Sequence, residues 1–515
     1  MEMFGGLTKT SSRIAIAAAL GMTLGGYAMS TPAKAADLGG DCCADLEERV
    51  AELEATTVRK GNKKVSVTLS GWVVKAINFW DDGKRTDTWI GDKDADLTSR
   101  FAITGQATIA PGWTGGYNIT VTAPGNFIDN ANQTGGNVFG IASNQFGQDS
   151  GLLSGINTLY SYMFIKSDNY GAINWGYLSP ASDNPAVLAD LSGTVIESNA
   201  VLFESPSFFL RPNGAGGGGG DFASLSGFTI GNFTNCNSGI GPIGVDCYGA
   251  PQSGVRYDSP TFGGFRFEVS YTDYLGNLLT SKGPVLNGSA GLGAYATTPE
   301  AYDAALFYTG DWGNFKVSAA YSYTHLNAAV GSADINETNE IHQVGATVMH
   351  VPSGIGLYGM YQNDRVEDGR FVNAVTGSVQ RTPESDAWYL KPFIKRTWSP
   401  IGATVLFGEY AQYEDQFGGL AGANVCGLAG PLAGTASCAS GATVAGMFVN
   451  DSEVERWGLG VMQEIDSAAM HLFARWQHMD VDVDFTGLSA GGTLSNVNQD
   501  FDDFDLFQVG GIIFF

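Results

Sequence analysis

The stretch Lys64-Val65-Ser66-Val67-Thr68-Leu69-Ser70-Gly71-Trp72-Val73 decides the fold. Successive side chains of an extended chain point to opposite faces. Val65, Val67, Leu69, Gly71 and Val73 therefore share one face, and Ser66, Thr68 and Ser70 take the other. The next such run repeats the division, with Phe101, Ile103, Ala107 and Ile109 set against Thr98, Arg100, Thr104 and Gln106. A strand with lipid on one side and water on the other reads this way. So does a half-buried strand of a soluble sandwich, and the connections must separate the two.

Working outward by alternation gives sixteen strands, near 64–80, 96–110, 115–123, 158–166, 171–179, 253–259, 264–274, 301–310, 313–324, 340–350, 354–363, 385–397, 401–413, 453–465, 468–480 and 504–515. The connections after even-numbered strands are tight and rich in turn residues, from Pro111–Thr114 through Val351–Ser353 to Asp466-Ser467. The connections after odd-numbered strands are long, from Asp81–Ala95 up to Pro180–Gln252. A sandwich has no reason to sort its loops in this way. A membrane barrel with short periplasmic turns and long external loops does. The even count also returns the last strand to the first, and at this strand number the interior is an aqueous channel.

Composition agrees. Of 515 residues 71 are Gly, only 15% are charged, and aromatics reach 12%. After the N-terminal segment no run of 18 apolar residues occurs, so helical spans are excluded. The net charge of −25 makes nucleic acid an implausible partner.

Residues 1–35 read as an export signal. Lys9 and Arg13 precede the apolar run Ile14–Met22, and Ala33-Lys34-Ala35 offers a cleavage site before Ala36. Residues 36–60 hold the one convincing helix, over Ala44–Lys60. Leu46, Val50, Leu53 and Thr57 form a short coiled-coil seam there, with Glu47, Glu48, Glu52 and Glu54 outside it. Two heptads hold chains together only where something else already gathers them. In an exported chain, Cys236 with Cys247 and Cys426 with Cys438 read as two local disulfides within loops. Cys42 and Cys43 either cross-link chains or stay as thiols.

Enzyme signals fail on context. Gly487–Gly491 matches a nucleophile elbow but lies in a polar loop, and Gly214, Gly216 and Gly219 match a dinucleotide fingerprint only because the segment is nearly all glycine. His325, His342, His350, His471 and His478 show no metal-ligand spacing. Neither catalysis nor a cofactor nor a metal is expected.

Several stretches resemble bacterial general porins of the α-proteobacterial kind: Ser253–Pro260 followed by Gly264–Tyr271, then Tyr308–Tyr321, then Trp457–Asp466. The resemblance spans residues 61–515 in patches. It implies an all-β fold, a 16-stranded antiparallel transmembrane β-barrel with an infolded third loop, in the bacterial outer membrane. It further implies a homotrimer amid lipid and lipopolysaccharide, passing small hydrophilic solutes by diffusion, with the coiled coil on the periplasmic side. Phe515, on one face with Phe507, Val509 and Ile513, is similar to the family's assembly signal. Ser182-Asp183-Asn184 and Asp190–Thr194 resemble the infolded part of the third loop. Candidate constriction charges are then Asp183, Asp190 and Glu197 on that loop. Facing them are Arg100, Arg256, Arg266 and Arg456 on polar strand faces, with Lys391 and Lys395 alternating with Leu390 and Ile394. Carboxylates across from guanidinium groups would set a field in the passage. The acid excess predicts a mild cation preference.

Overall fold

In the computed structural model the described residues are 64–93, 97–123, 132–133, 157–199, 208–212, 229–234, 251–273, 300–330, 335–367, 370–372, 379–381, 384–416, 447–488 and 494–515. The export signal, the N-terminal helix and all six cysteines lie outside them.

One antiparallel sheet of eighteen strands dominates. Sixteen of these strands form the wall. They are β1 (Ser66–Asp81), β2 (Arg100–Ala110), β3 (Trp113–Thr122), β4 (Asn157–Ser167), β5 (Gly171–Leu178), β6 (Gln252–Asp258), β7 (Phe265–Asp273) and β8 (Glu300–Trp312). Then follow β9 (Phe315–Val330), β10 (Ile335–His350), β11 (Ile355–Glu367), β12 (Ser385–Ser399), β13 (Gly402–Glu414), β14 (Met447–Ile465), β15 (Met470–Leu488) and β16 (Phe504–Phe514). Each pairs with its sequence neighbours, and β1 pairs with both β2 and β16, Trp72 lying opposite Arg100 on one side and Phe514 on the other. Mutual amide bonds between Gly71 and Phe515, at 2.9 and 3.0 Å, extend that seam. The sheet is closed, so its wall has no free edge and the backbone satisfies itself without water.

The seven tight turns stand where turn chemistry put them, from Pro111-Gly112 between β2 and β3 to residues 466–469 between β14 and β15. Gly354 shows why glycine is needed at such a site: its φ is +70°, and a Cβ would overlap the carbonyl of Lys395 on β12.

Two features differ from the sequence expectation. β14 and β15 run to 19 residues each, about twice a membrane crossing, and β9 and β10 continue to Val330 and Ile335, so these hairpins rise as ribbons. Loop segments also add strands: Thr86–Gly91 on β1, Leu494–Asp500 on β15, and a separate hairpin of Arg370–Val372 with Val379–Arg381. Such short polar strands carry too few alternating residues to show in sequence.

The outward face is the expected apolar belt. Leu69, Val73, Ile77 and Phe79 on β1 and Phe507, Val509 and Ile513 on β16 all stand exposed. Rings such as Trp113, Trp312 and Trp398 mark the turn end, where a barrel meets the membrane interface. The inward face is less uniform than a wet channel wall. From β2 to β10 it is largely polar, with Asn118, Asn174, Ser318, Ser322 and Gln343. From β11 round to β1 it carries Met360, Phe407, Val454, Met479, Leu506 and Trp80, buried in one apolar cluster. Loop residues Val187, Ile196, Phe208, Leu210, Ile230 and Phe233 complete that cluster. The long third loop enters the barrel with its own apolar side chains, and burying them needs an apolar stretch of wall.

Candidate functional site at the infolded loop

The segment after β5 crosses the inner wall as a belt, and each wall strand it passes offers a fixed partner. Arg256 on β6 donates to the Ser179 carbonyl at 2.9 Å. The Ala181 amide donates to Ser270 Oγ on β7 at 2.8 Å, and the Ser182 hydroxyl to Asp303 Oδ1 on β8 at 2.8 Å. Ser270 closes the triangle by donating to Asp303 Oδ2 at 3.0 Å.

A single helical turn follows, α1 (Pro185–Leu188), opened by Pro at its first position, where a missing amide costs nothing. It lies directly on β10 because Gly345 has no side chain there; a Cβ at that position would overlap the Ala186 backbone. Tyr358 on β11 donates to the Ala186 carbonyl at 2.8 Å, and Thr347 on β10 to the Ala189 carbonyl at 2.7 Å.

The belt then reaches β12–β15, where its charges meet their partners. Lys391 Nζ lies 2.9 Å from Asp190 Oδ2, 3.0 Å from Thr194 Oγ1 and 2.5 Å from the Ser198 carbonyl. Both ends of this ion pair are buried, at 0% and 1% exposure. Glu197 Oε1 lies 2.7 Å from His471 Nδ1 on β15. Ser198 donates to Glu409 on β13, which also accepts from Tyr389 at 2.8 Å and Gln477 at 2.6 Å. Arg456 on β14 donates to the Asn199 carbonyl at 2.6 Å, 3.7 Å from Glu409 and over the Tyr389 ring. Charge inside a protein is tolerated only when paired and hydrogen-bonded, and here it is both.

The later part of the loop docks separately. Phe208 packs between Trp80 of β1 and Phe504 of β16, at centroid distances of 5.1 and 4.8 Å. Arg211 pairs with Asp82 at 2.6 Å, both buried, and Gln133 makes two bonds to the Phe209 backbone.

The sequence candidates thus divide. Asp190, Glu197, Lys391 and Arg456 meet in one clasp, and Lys395 stands beside it, 2.8 Å from Glu464 and against Gly193. Asp183 sits at the start of the belt, bonded by Asn184. Arg256 and Arg266 form a second group on β6 and β7 with Asp258 and Glu268. Arg266 also lies over Phe307, 4.2 Å from its centroid. Arg100 stands apart, over the Trp72 ring at 4.6 Å. Asp190 does not face its cation across open water but touches Lys391, while Glu197 meets His471 instead of a predicted cation. Asp190 and Glu197 fasten the belt to the wall. Glu409, Glu464 and His471 were missed, although strand parity places all three inward. Among the described residues no three His, Cys, Asp or Glu side chains are grouped to hold a metal.

The acid excess lies elsewhere. Asp386–Glu414, Glu414–Glu453, Glu453–Asp482 and Asp482–Asp500 are neighbours across successive ladders, on the outward face of β12–β15 and the added strand, toward the loop end.

A family model described as Gram-negative porin matches residues 17–493. No curated protein matches the chain. Among solved structures, the anion-selective porin from Comamonas acidovorans is similar at 16% identity and TM-score 0.49, over 88% of this chain and 100% of that one. OprB of Pseudomonas putida is similar at 12% identity and TM-score 0.48, over 92% and 97%. OmpF of Salmonella typhi is similar at 13% identity and TM-score 0.44, over 89% and 100%.

Proposed function

The chain belongs to the Gram-negative porin family, and on that premise we propose that its belt, residues 179–199, sets the bore through which small hydrophilic solutes diffuse. The protein is a multi-pass channel of the bacterial outer membrane, working by passive diffusion. The observation that supports the rest is the clasp: a segment held by Asp190–Lys391, Glu197–His471 and Ser198–Glu409 lies inside a closed wall. The field at the constriction comes from Asp183, Asp190 and Glu197 against Arg256, Arg266, Arg456, Lys391 and Lys395. Because these charges are largely neutralised in pairs, size and local dipoles govern passage there. The acid ladder at the loop end enriches cations within a Debye length of about 10 Å, which supports a mild cation preference.

We read the chain as one of the α-proteobacterial general porins, exported by residues 1–35 and assembled as a homotrimer in lipid and lipopolysaccharide. Lys75 supports the trimer. It stands outward on β1 between Val73 and Ile77, half exposed and paired with Asp92. A lysine facing lipid at mid-depth costs about 2–4 kcal/mol, whereas a subunit interface accommodates an ion pair. The coiled coil at Ala44–Lys60 would then gather three chains already joined at β1. No enzymatic role is proposed.

Liposome swelling with sugars of graded size tests the reading. Entry rates should fall steeply with solute radius. Liposomes that stay impermeable to the smallest sugar would overturn it.

A further inference from the structure

Among the described residues, the infolded segments cover the inner wall from β7 round to β16 and leave one stretch bare at the turn end of β1–β4. Its inward side chains are Ser66, Thr68 and Ser70 on β1, Thr104, Gln106 and Thr108 on β2, and Thr114 on β3. The ladders set them side by side: Ser66 opposite Gln106, Thr68 opposite Thr104, Thr108 opposite Thr114. Most inward residues of this barrel are buried, yet Ser66, Thr68, Gln106 and Thr108 are exposed. Every one of these groups is an uncharged hydroxyl or amide, in a chain whose net charge is −25.

Two rings on β4 border the patch. Phe164 lies against Gly116, so close that a Cβ there would overlap the ring. Tyr162, two residues along the same face, is bonded through its hydroxyl to Asn118 at 3.2 Å. Both rings remain only half-buried. Lys166 stands at the end of the same strand, beside Asp168 in the turn.

We propose that this wall is a weak binding surface for neutral polyhydroxylated solutes, of the size of a monosaccharide. The chemistry fits that class. Hydroxyls and amides both donate and accept, as a sugar's hydroxyls require. An aromatic face takes the apolar C–H face of a pyranose ring, while a pocket with few polar groups fixes its orientation. The one charge at its edge, Lys166 opposite Thr114, already has Asp168 beside it, so the patch itself offers neutral groups. The proposal rests on the channel reading and deepens it by naming a preferred solute.

Single-channel current through the purified protein, in salt with added D-glucose, tests this. The control is a polyethylene glycol of equal hydrodynamic radius. Glucose should reduce the current saturably and add noise, while the polymer lowers it only in step with bulk conductivity. In the double variant Thr104→Val, Gln106→Leu, each measured against its own open-channel current, half-block should need about thirtyfold more glucose, two net hydrogen bonds having been removed. Phe164→Leu, which keeps the bulk over Gly116 but loses the flat face, should weaken the block likewise. Glucose acting no differently from the polymer, or blocking both variants like the parent, would overturn the proposal and leave the channel intact. A protein that carries no current at all would overturn the channel reading, and this one with it.

Discussion

Replacing Lys391 by Met removes the charge at the centre of the clasp while keeping the length and bulk of the side chain. The ammonium contacts Asp190, Thr194 and Ser198, and its partner carboxylate is 1% exposed. Asp190 would keep only the Ser192 amide at 2.7 Å on its other oxygen. Breaking a buried pair from one side costs about 3–5 kcal/mol, because an uncompensated charge stays behind. At 1.4 kcal/mol per decade, the equilibrium between docked and released belt moves by two to three and a half decades, about 10² to 4 × 10³. The wall is held by its own ladders and stays closed. The expected record from Lys391→Met in a planar bilayer is therefore higher mean conductance with frequent excursions to wider levels. Adding Asp190→Asn should restore most of the parent behaviour, since no lone charge remains. Conductance and noise unchanged in Lys391→Met would refute the view that this pair fastens the belt. So would a double variant worse than the single one.

Other consequences are open to direct test. Gly345→Val places a branched side chain where the Ala186 backbone lies; it should widen the size cut-off in liposome swelling while the barrel still resists SDS unheated. Deleting Phe515 removes both closure bonds to Gly71, about 1 kcal/mol each, and should lower the yield of heat-modifiable barrel on refolding. Lys75→Glu sets a second carboxylate beside Asp92 on the outward face of β1; on a semi-native gel it should migrate as monomer where the parent migrates as trimer.

The wall of this barrel was legible because its physics is local. Period-two alternation and seven tight turns, four of them carrying glycine or proline, indicate strand number, order and facing without any distant contact, and they recovered even the short strands β5 and β6. What alternation cannot report is how far a strand continues once it leaves the membrane. β14 and β15 read as ending near 453 and 480, because Asp480-Val481-Asp482-Val483-Asp484 still alternates but sets its acids on the outward face, the reverse of a lipid-facing span. The site was legible in part. Its residues could be named from charge and parity, and Asp190, Glu197, Lys391 and Arg456 do meet. Their partners could not be deduced, because the belt reaches Lys391 through a sequence separation of 201. Nothing in the sequence around His471 or Glu409 distinguishes a loop anchor from an ordinary inward residue. Net charge alone says little about the bore, because it sums over both faces of the wall, and the ladder from Asp386 to Asp500 stands on the outward one.

The central claim is that a continuous column of water passes through the closed wall beside the clasped belt. Single-channel conductance measured across a series of salt concentrations tests it most directly. A water-filled bore predicts discrete, ohmic steps whose size rises in near proportion to the conductivity of the bathing solution. Protein that inserts without steps, or steps that saturate at low salt, would contradict the account.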